Sequence, residues 1–509
     1  MKKGFSLLIV AILLVTMVFA LGACGNKGGG SKSGAGKDIL TISLDGEPLH
    51  LDESLTMDYL AIWACTPIND YLVVFDGNLN VQKSLAEVCE QVDDLTFKFK
   101  IHEGVKFHNG REVKAEDVKY SIERVADPNV GSELLTYFEC IDNVEVTGGY
   151  EGLIHLKNPY APLMGKLTRI PIIPKEAADT NKTKPVGCGP FKFVEWKKDQ
   201  SIELVKNEDY WREGYPKMDG ISFRIIKEYN SIRSAFLAGD LDVLMWANNV
   251  DVSLLESTPG VYLHDQDLAD AFYVICNGDR KPFDDPRVRK AVALALDKYE
   301  LLDKGNQGYG VKLDTAIYPT SYYYDDSLAY DQNVEEAKRL LAEAGYPDGF
   351  DCKLSIPITP VEGVMGEVIA DQLTKVGIRT QPVEIEVSVF MDTVWGRRDY
   401  DIQVAGDAGD GDPDSWLSRF CKTSSGNNFG DYSNPKLDEL IEKGASVYDD
   451  AKRKEIYLEA LTITKEEQPI TFLFGGNLMT ALHDDIQGFT GCPTWRYDLS
   501  GVYRVKDSK

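Results

Sequence analysis

Residues 95–102 alternate apolar and polar without a break, with Leu95, Phe97, Phe99 and Ile101 on one side and Thr96, Lys98, Lys100 and His102 on the other. That period of two predicts a half-buried antiparallel strand. Phe107-His108-Asn109-Gly110 predicts a tight turn, and Glu116-Asp117 open a helix that puts Val118, Ile122 and Val125 on one face. Strand patterns return at 152–156, 189–196 and 200–206. Beyond Cys276 the rhythm lengthens to three and four. Asp285 caps a helix with Pro286 in its first turn and Val288, Val292 and Ala295 along one side. Asn333 with Glu336 makes a capping-box start for a second helix that stops at Gly345, and a third is predicted over 365–375. Between them lie strand patterns near 353–356 and 401–406. A strand-rich first half followed by alternating helices and strands predicts α/β lobes with an inserted β-rich region.

The longest apolar stretch, residues 4–20, has a different meaning. It follows Lys2-Lys3 and ends at Leu21-Gly22-Ala23-Cys24, the basic, apolar and small-residue order of an export signal, which is removed and not folded. The tetrad resembles a bacterial lipobox, which implies a signal peptide over 1–23 and a diacylglyceryl group on Cys24 holding the chain at the outer face of a membrane. Two lipid chains at about 0.8 kcal/mol per buried CH₂ anchor stably. Residues 24–37 are Gly, Ser, Lys and Asn with few apolar side chains, too little to offset the entropy of ordering, and read as a flexible linker.

The remainder is about 470 residues, more than one hydrophobic core serves, so two or three lobes are expected. Without Lys2 and Lys3 the chain carries 53 basic against 81 acidic residues. That excess repels nucleic acid and anionic lipid surfaces. It suits a cationic or amine-bearing ligand, and equally serves solubility. Eight cysteines after Cys24 lack C-x-x-C spacing, and six histidines lack H-E-x-x-H, so no metal or cofactor site is expected.

Several blocks, in order, carry a family resemblance: Lys83-Ser84-Leu85-Ala86-Glu87, Gly104-Val105-Lys106-Phe107-His108-Asn109-Gly110 with Ala115-Glu116-Asp117-Val118, Gly187-Cys188-Gly189-Pro190-Phe191, Asn207-Glu208-Asp209-Tyr210-Trp211, the 282–291 block around Asp285-Pro286, and the 342–350 block around Gly345-Tyr346-Pro347. Together they resemble the extracellular solute-binding proteins, family 5, of oligopeptide, dipeptide and nickel ABC importers. The resemblance implies a two-lobed α/β fold of the type 2 periplasmic-binding-protein kind, with a β-rich domain inserted in lobe one. By the blocks, lobe one is 38–65, 190–276 and 482–509, the insert 66–189 and lobe two 277–481, with hinges near 274–279 and 475–480. A ligand touching both lobes then closes them. The expected partners are a peptide ligand and the importer's permease subunits, with the receptor acting as a monomer.

Four carboxylates crowd into Asp407-Ala408-Gly409-Asp410-Gly411-Asp412-Pro413-Asp414, just after the predicted 401–406 strand. Strand ends facing a cleft are where α/β folds place ligand contacts, and a poorly hydrated carboxylate attracts an ammonium. The resemblance implies that one Asp of this loop holds a peptide's α-amino group, with Asp407 favoured over Asp410. The other aspartates cap the turn and the next helix. The resemblance further implies that the ligand lies as an added strand along Gln403 to Gly406, with Trp246, Asn248, Trp416 and Phe429 as walls. Each aromatic has core packing as its alternative. A calcium loop is disfavoured because Ser415 and Cys421 stand where Gly and Glu are needed. Paired carboxylates also leave a glycosidase open as a rival class. Gly363-Val364 stand where dipeptide binders carry an arginine for the ligand's carboxylate, so a longer peptide is expected. There is no G-x-S-x-G or P-loop, and Gly305-Asn306-Gln307-Gly308-Tyr309-Gly310 follows a helix rather than a strand. The reading is a non-catalytic receptor for peptides, with a sugar or metal-complex receptor as the alternative.

Overall fold

The computed structural model describes residues 38–505; the signal segment, Cys24 and the 24–37 linker lie outside the described residues. The alternating stretch forms the strand Thr96–Ile101, with Phe97, Phe99 and Ile101 buried. It sits second in a four-stranded antiparallel sheet ordered Ala86–Asp93, Thr96–Ile101, Glu151–Leu156, Ile141–Val146. Leu95 departs from the pattern. Asp93 pairs with Thr96, so Leu95 falls in the two-residue turn between them and is exposed. The helix Ala115–Ala126 lays Val118, Ile122 and Val125 into the same core as Phe97 and Phe99.

Two larger sheets carry the rest. The first has seven strands in the order Val261–Asp267, Asn477–His483, Val243–Leu244, Ile39–Leu44, Gly220–Ile225, Ser201–Lys206, Phe191–Lys197. The second has six, in the order Val311–Lys312, Thr471–Gly475, Asp270–Cys276, Ile402–Ala408, Phe350–Pro357, Ile378–Ile385. The chain passes from first sheet to second through Leu268-Ala269 and returns through Gly476. Residues 270–276, expected in lobe one, thus stand in the second sheet, and 477–481, expected in lobe two, stand in the first. Both apolar runs continue through the crossings, and a strand pattern does not say which sheet a strand joins.

Helix starts follow their caps. Asp285 accepts from the Arg287 amide at 2.9 Å ahead of Pro286–Ala295, and Asn333 from the Glu336 amide at 3.0 Å ahead of Val334–Glu343. After the latter, Gly345 takes φ +96°, a left-handed stop suited to glycine. The helix expected over 365–375 begins earlier, as Pro360–Thr374, because Thr359 caps it by accepting from the Glu362 amide at 3.3 Å. Gly363-Val364 therefore lie inside its first turns. The eight described cysteines are all free thiols. Among the described residues no helix is long and apolar enough to cross a membrane.

Candidate ligand cleft

The parallel strands of both sheets end on the two crossings. In the first sheet Ile39–Leu44 runs parallel to Gly220–Ile225 and Val243–Leu244, and the residues just past their ends include Asp45, Trp246 and Asn248. In the second, Phe350–Pro357 and Ile402–Ala408 run parallel, and Ala408 lies opposite Asp270, directly after the first crossing. The second crossing, Gly476, follows the strand Thr471–Gly475 and donates its amide to the Asp270 carboxylate at 2.8 Å. Strand ends converging on a pair of crossovers form the crevice where open α/β sheets take ligands.

One strand leaves part of its edge open at this place. Ile402–Ala408 pairs along its whole length with Asp270–Cys276, but with Phe350–Pro357 only at Ile402 and Gln403. Residues 404–408 thus have a strand neighbour on one side alone; Val404 and Ala405 are buried, and only 406–408 are partly exposed along that edge. At Gly406 a side chain would meet the Phe272 ring at 2.9 Å and lie 3.6 Å from Glu362 Oε1, so an acid stands beside the middle of this stretch. A cavity of about 300 Å³ lies by the first crossing, lined by Leu79, Asp265, Asp267, Tyr318 and Thr320 among others.

Burial raises the Asp270 carboxyl to about 6, against the amide of Gly476, which lowers it; burial also pushes Glu362 up. The folded state therefore holds a proton on Asp270 that the unfolded chain releases near 3.8. Stability from this group falls as pH rises from about 4 to about 6. Asp270→Asn is expected to flatten that slope, gaining in thermal midpoint over the parent at pH 7 relative to pH 4; an unchanged difference would contradict it.

Every carboxylate of the 407–414 loop already has a partner. Asp407 is ion-paired to Arg419 at 2.6 Å. Asp410 is paired at 2.5 Å to Lys166, from the short helix Leu163–Leu167 of the four-stranded-sheet region, with side-chain exposures of 3% and 1%. Burial would raise the Asp410 carboxyl, but Lys166 and Arg169 hold it down at about 2. Asp412 is clamped by two Arg453 nitrogens at 2.8 Å each, and its carboxylate caps Pro413–Phe420 through the Asp414 amide. Asp414 accepts from Ser418 and, at 3.3 Å, from Tyr160. Gly409 starts the turn because a side chain there would stand 2.5 Å from Trp416 Nε1 and 2.7 Å from the Ala269 carbonyl. Gly409→Ala is expected to cost about 1–3 kcal/mol in urea unfolding; a neutral result would contradict this packing.

The other candidates divide. Trp416 is 3% exposed among Tyr273, Phe420 and Phe472. Phe429 is buried and stacks on Trp395 at 5.1 Å, and Trp395 donates to the wholly buried Gln403 at 2.9 Å. These three residues are core of the second sheet, because the face of the strand that carries Gln403 is covered by helices. Gly406 lies on the open edge. Trp246 is 36% exposed, its indole against Tyr59 and Trp495, and Asn248 is exposed with its amide bonded to Tyr229 Oη. Sequence reasoning missed Asp270 and Glu362, which carry no motif. It also missed Lys166, although a lysine between Leu163, Met164 and Leu167 is itself a signal of a buried partner.

The family model for bacterial extracellular solute-binding proteins, family 5 (middle region), matches residues 80–428. The chain belongs to that family. It is a solute-binding protein of ABC importers with the two-lobed periplasmic-binding-protein fold expected from its sequence blocks. Heme-binding protein A of Haemophilus influenzae is 30% identical over 431 residues, 77% of this chain and 78% of that protein. Oligopeptide-binding protein AppA of Bacillus subtilis is 28% identical over 530 aligned positions, 96% of each. The structure of AppA from Bacillus subtilis in complex with a nonapeptide superposes with a TM-score of 0.77 at 27% identity, covering 92% of this chain and 99% of that one.

Proposed function

We propose that this family 5 protein is a monomeric, non-catalytic receptor that captures peptides, oligopeptides in particular, between its two sheet bodies and delivers them to an ABC permease. The observation that carries the reading is the strand edge at 404–408 that no second strand covers, partly exposed at 406–408 and set at the convergence of both crossings. An extended ligand can add to such an edge through its backbone, which gives affinity with little dependence on side-chain sequence. Trp246, Asn248 and Gly406 are the candidate residues that remain accessible to it. Motion about Leu268-Ala269 and Gly476, short links between two separate sheets, suits closure on a ligand that touches both bodies. Diacylation at Cys24 would keep the receptor beside the permease at the outer face of the membrane.

Similarity to Heme-binding protein A favours a second reading, a metal complex or other compact solute in the same cleft. Native mass spectrometry of the purified protein separates the two. The peptide reading expects a spread of copurifying peptide masses that disappears on unfolding. One defined small mass would replace it with the second reading, and turnover of added peptide would overturn both.

A further inference from the structure

A ligand strand laid along 404–408 brings one of its ends to the 409–412 turn, where a terminal ammonium would look for a carboxylate. The three carboxylates in and just before that turn are all taken, Asp412 by Arg453 as described above. Arg419 holds Asp407 from the last turn of Pro413–Phe420. Lys166 holds Asp410 from a helix far away in sequence, and its ammonium also donates to Ser415 Oγ and sits 4.7 Å from the centre of the Tyr137 ring. Arg169, one turn on from Lys166, donates to the Gly409 carbonyl at 3.4 Å.

This is the environment a bound primary ammonium requires: a carboxylate, a hydroxyl and an aromatic face, with water excluded. Here the chain supplies the cation itself. Resting on the peptide reading above, we propose that Lys166 is a built-in occupant of the ammonium position on Asp410, so that this receptor selects extended ligands without reading a free terminal amine. Lys166 is then a specificity-determining residue: it closes a subsite that its removal would open to a ligand's own ammonium.

The test compares a pool of random nonapeptides with the same pool N-acetylated, by calorimetry on the purified full-length protein stripped of ligand and refolded. For the parent protein the two pools should bind within about fivefold of each other, the range of a weakly coupled charge. A larger preference for the free amine would overturn the proposal, and this arm needs no variant. In Lys166→Ala the free-amine pool should bind tighter than the acetylated pool by about tenfold or more, the worth of a hydrogen bond to a charged group. The same variant should rise in thermal midpoint with n-propylammonium chloride, which replaces the missing part of the side chain, and not with tetramethylammonium chloride. The absence of both a new amine preference and a propylammonium shift in this variant would overturn it. Should no peptide bind either protein, the peptide reading fails by itself, while the propylammonium shift still decides whether an ammonium position exists on Asp410.

Discussion

Asp410→Asn is expected to destabilise the folded chain by about 3–5 kcal/mol, because it strands the Lys166 ammonium in a site from which water is excluded. The pair spans 244 positions of sequence at 2.5 Å, and neither side chain reaches solvent. Replacing both partners by apolar residues, Lys166→Met with Asp410→Leu, is expected to recover most of that loss, since no uncompensated charge remains. A double-mutant cycle in urea isolates the coupling. An exposed pair such as Arg339 with Glu343 gives the control, expected to show little or no coupling because solvent screens it. If Asp410→Asn behaved like the control, the ion pair would not be closed to water, and the case for a sealed ammonium position would fall with it.

The two tryptophans named as candidate walls should part company on mutation. Trp416→Ala removes an indole packed on Tyr273, Phe420 and Phe472 and is expected to cost about 3–5 kcal/mol of stability. Trp246→Ala truncates a half-solvated ring past the end of a first-sheet strand and is expected to cost far less. Its effect should appear in ligand affinity, because a half-exposed aromatic beside the cleft has free area to lose to a ligand. Urea unfolding together with peptide titration checks both. The reverse ranking in stability would put Trp246 in the core and take it out of the cleft.

Local signals in the sequence read well because their causes are local. Phe97, Phe99 and Ile101 face one core, Asp285 and Asn333 cap as their neighbours require, and Gly345 stops its helix. The helix over Pro360–Thr374 was misplaced by the same logic, since Thr359-Pro360 is a cap signal that the apolar rhythm alone hides. The crossings were legible only to within several residues, because strand membership depends on partners hundreds of positions away. The acidic loop was visible as a cluster, but its meaning was not. Which cation meets Asp407, Asp410 and Asp412 is decided by Arg419, Lys166 and Arg453, and no periodicity connects those residues to the loop. Gln403 likewise shows why a strand placed beside a cleft does not by itself put its side chains there: its face of the strand lies under Trp395, on which Phe429 stacks.

Amide hydrogen exchange at 404–408 tests the central claim most directly. In ligand-stripped protein the amides of this stretch that point away from Asp270–Cys276 lack a second strand neighbour, and those within 406–408 are also partly exposed. Adding a nonapeptide pool should slow exchange within 404–408, while the fully paired interior of Thr96–Ile101 stays unchanged. Peptide binding that left 404–408 as fast as in the stripped protein would contradict an added strand at this edge.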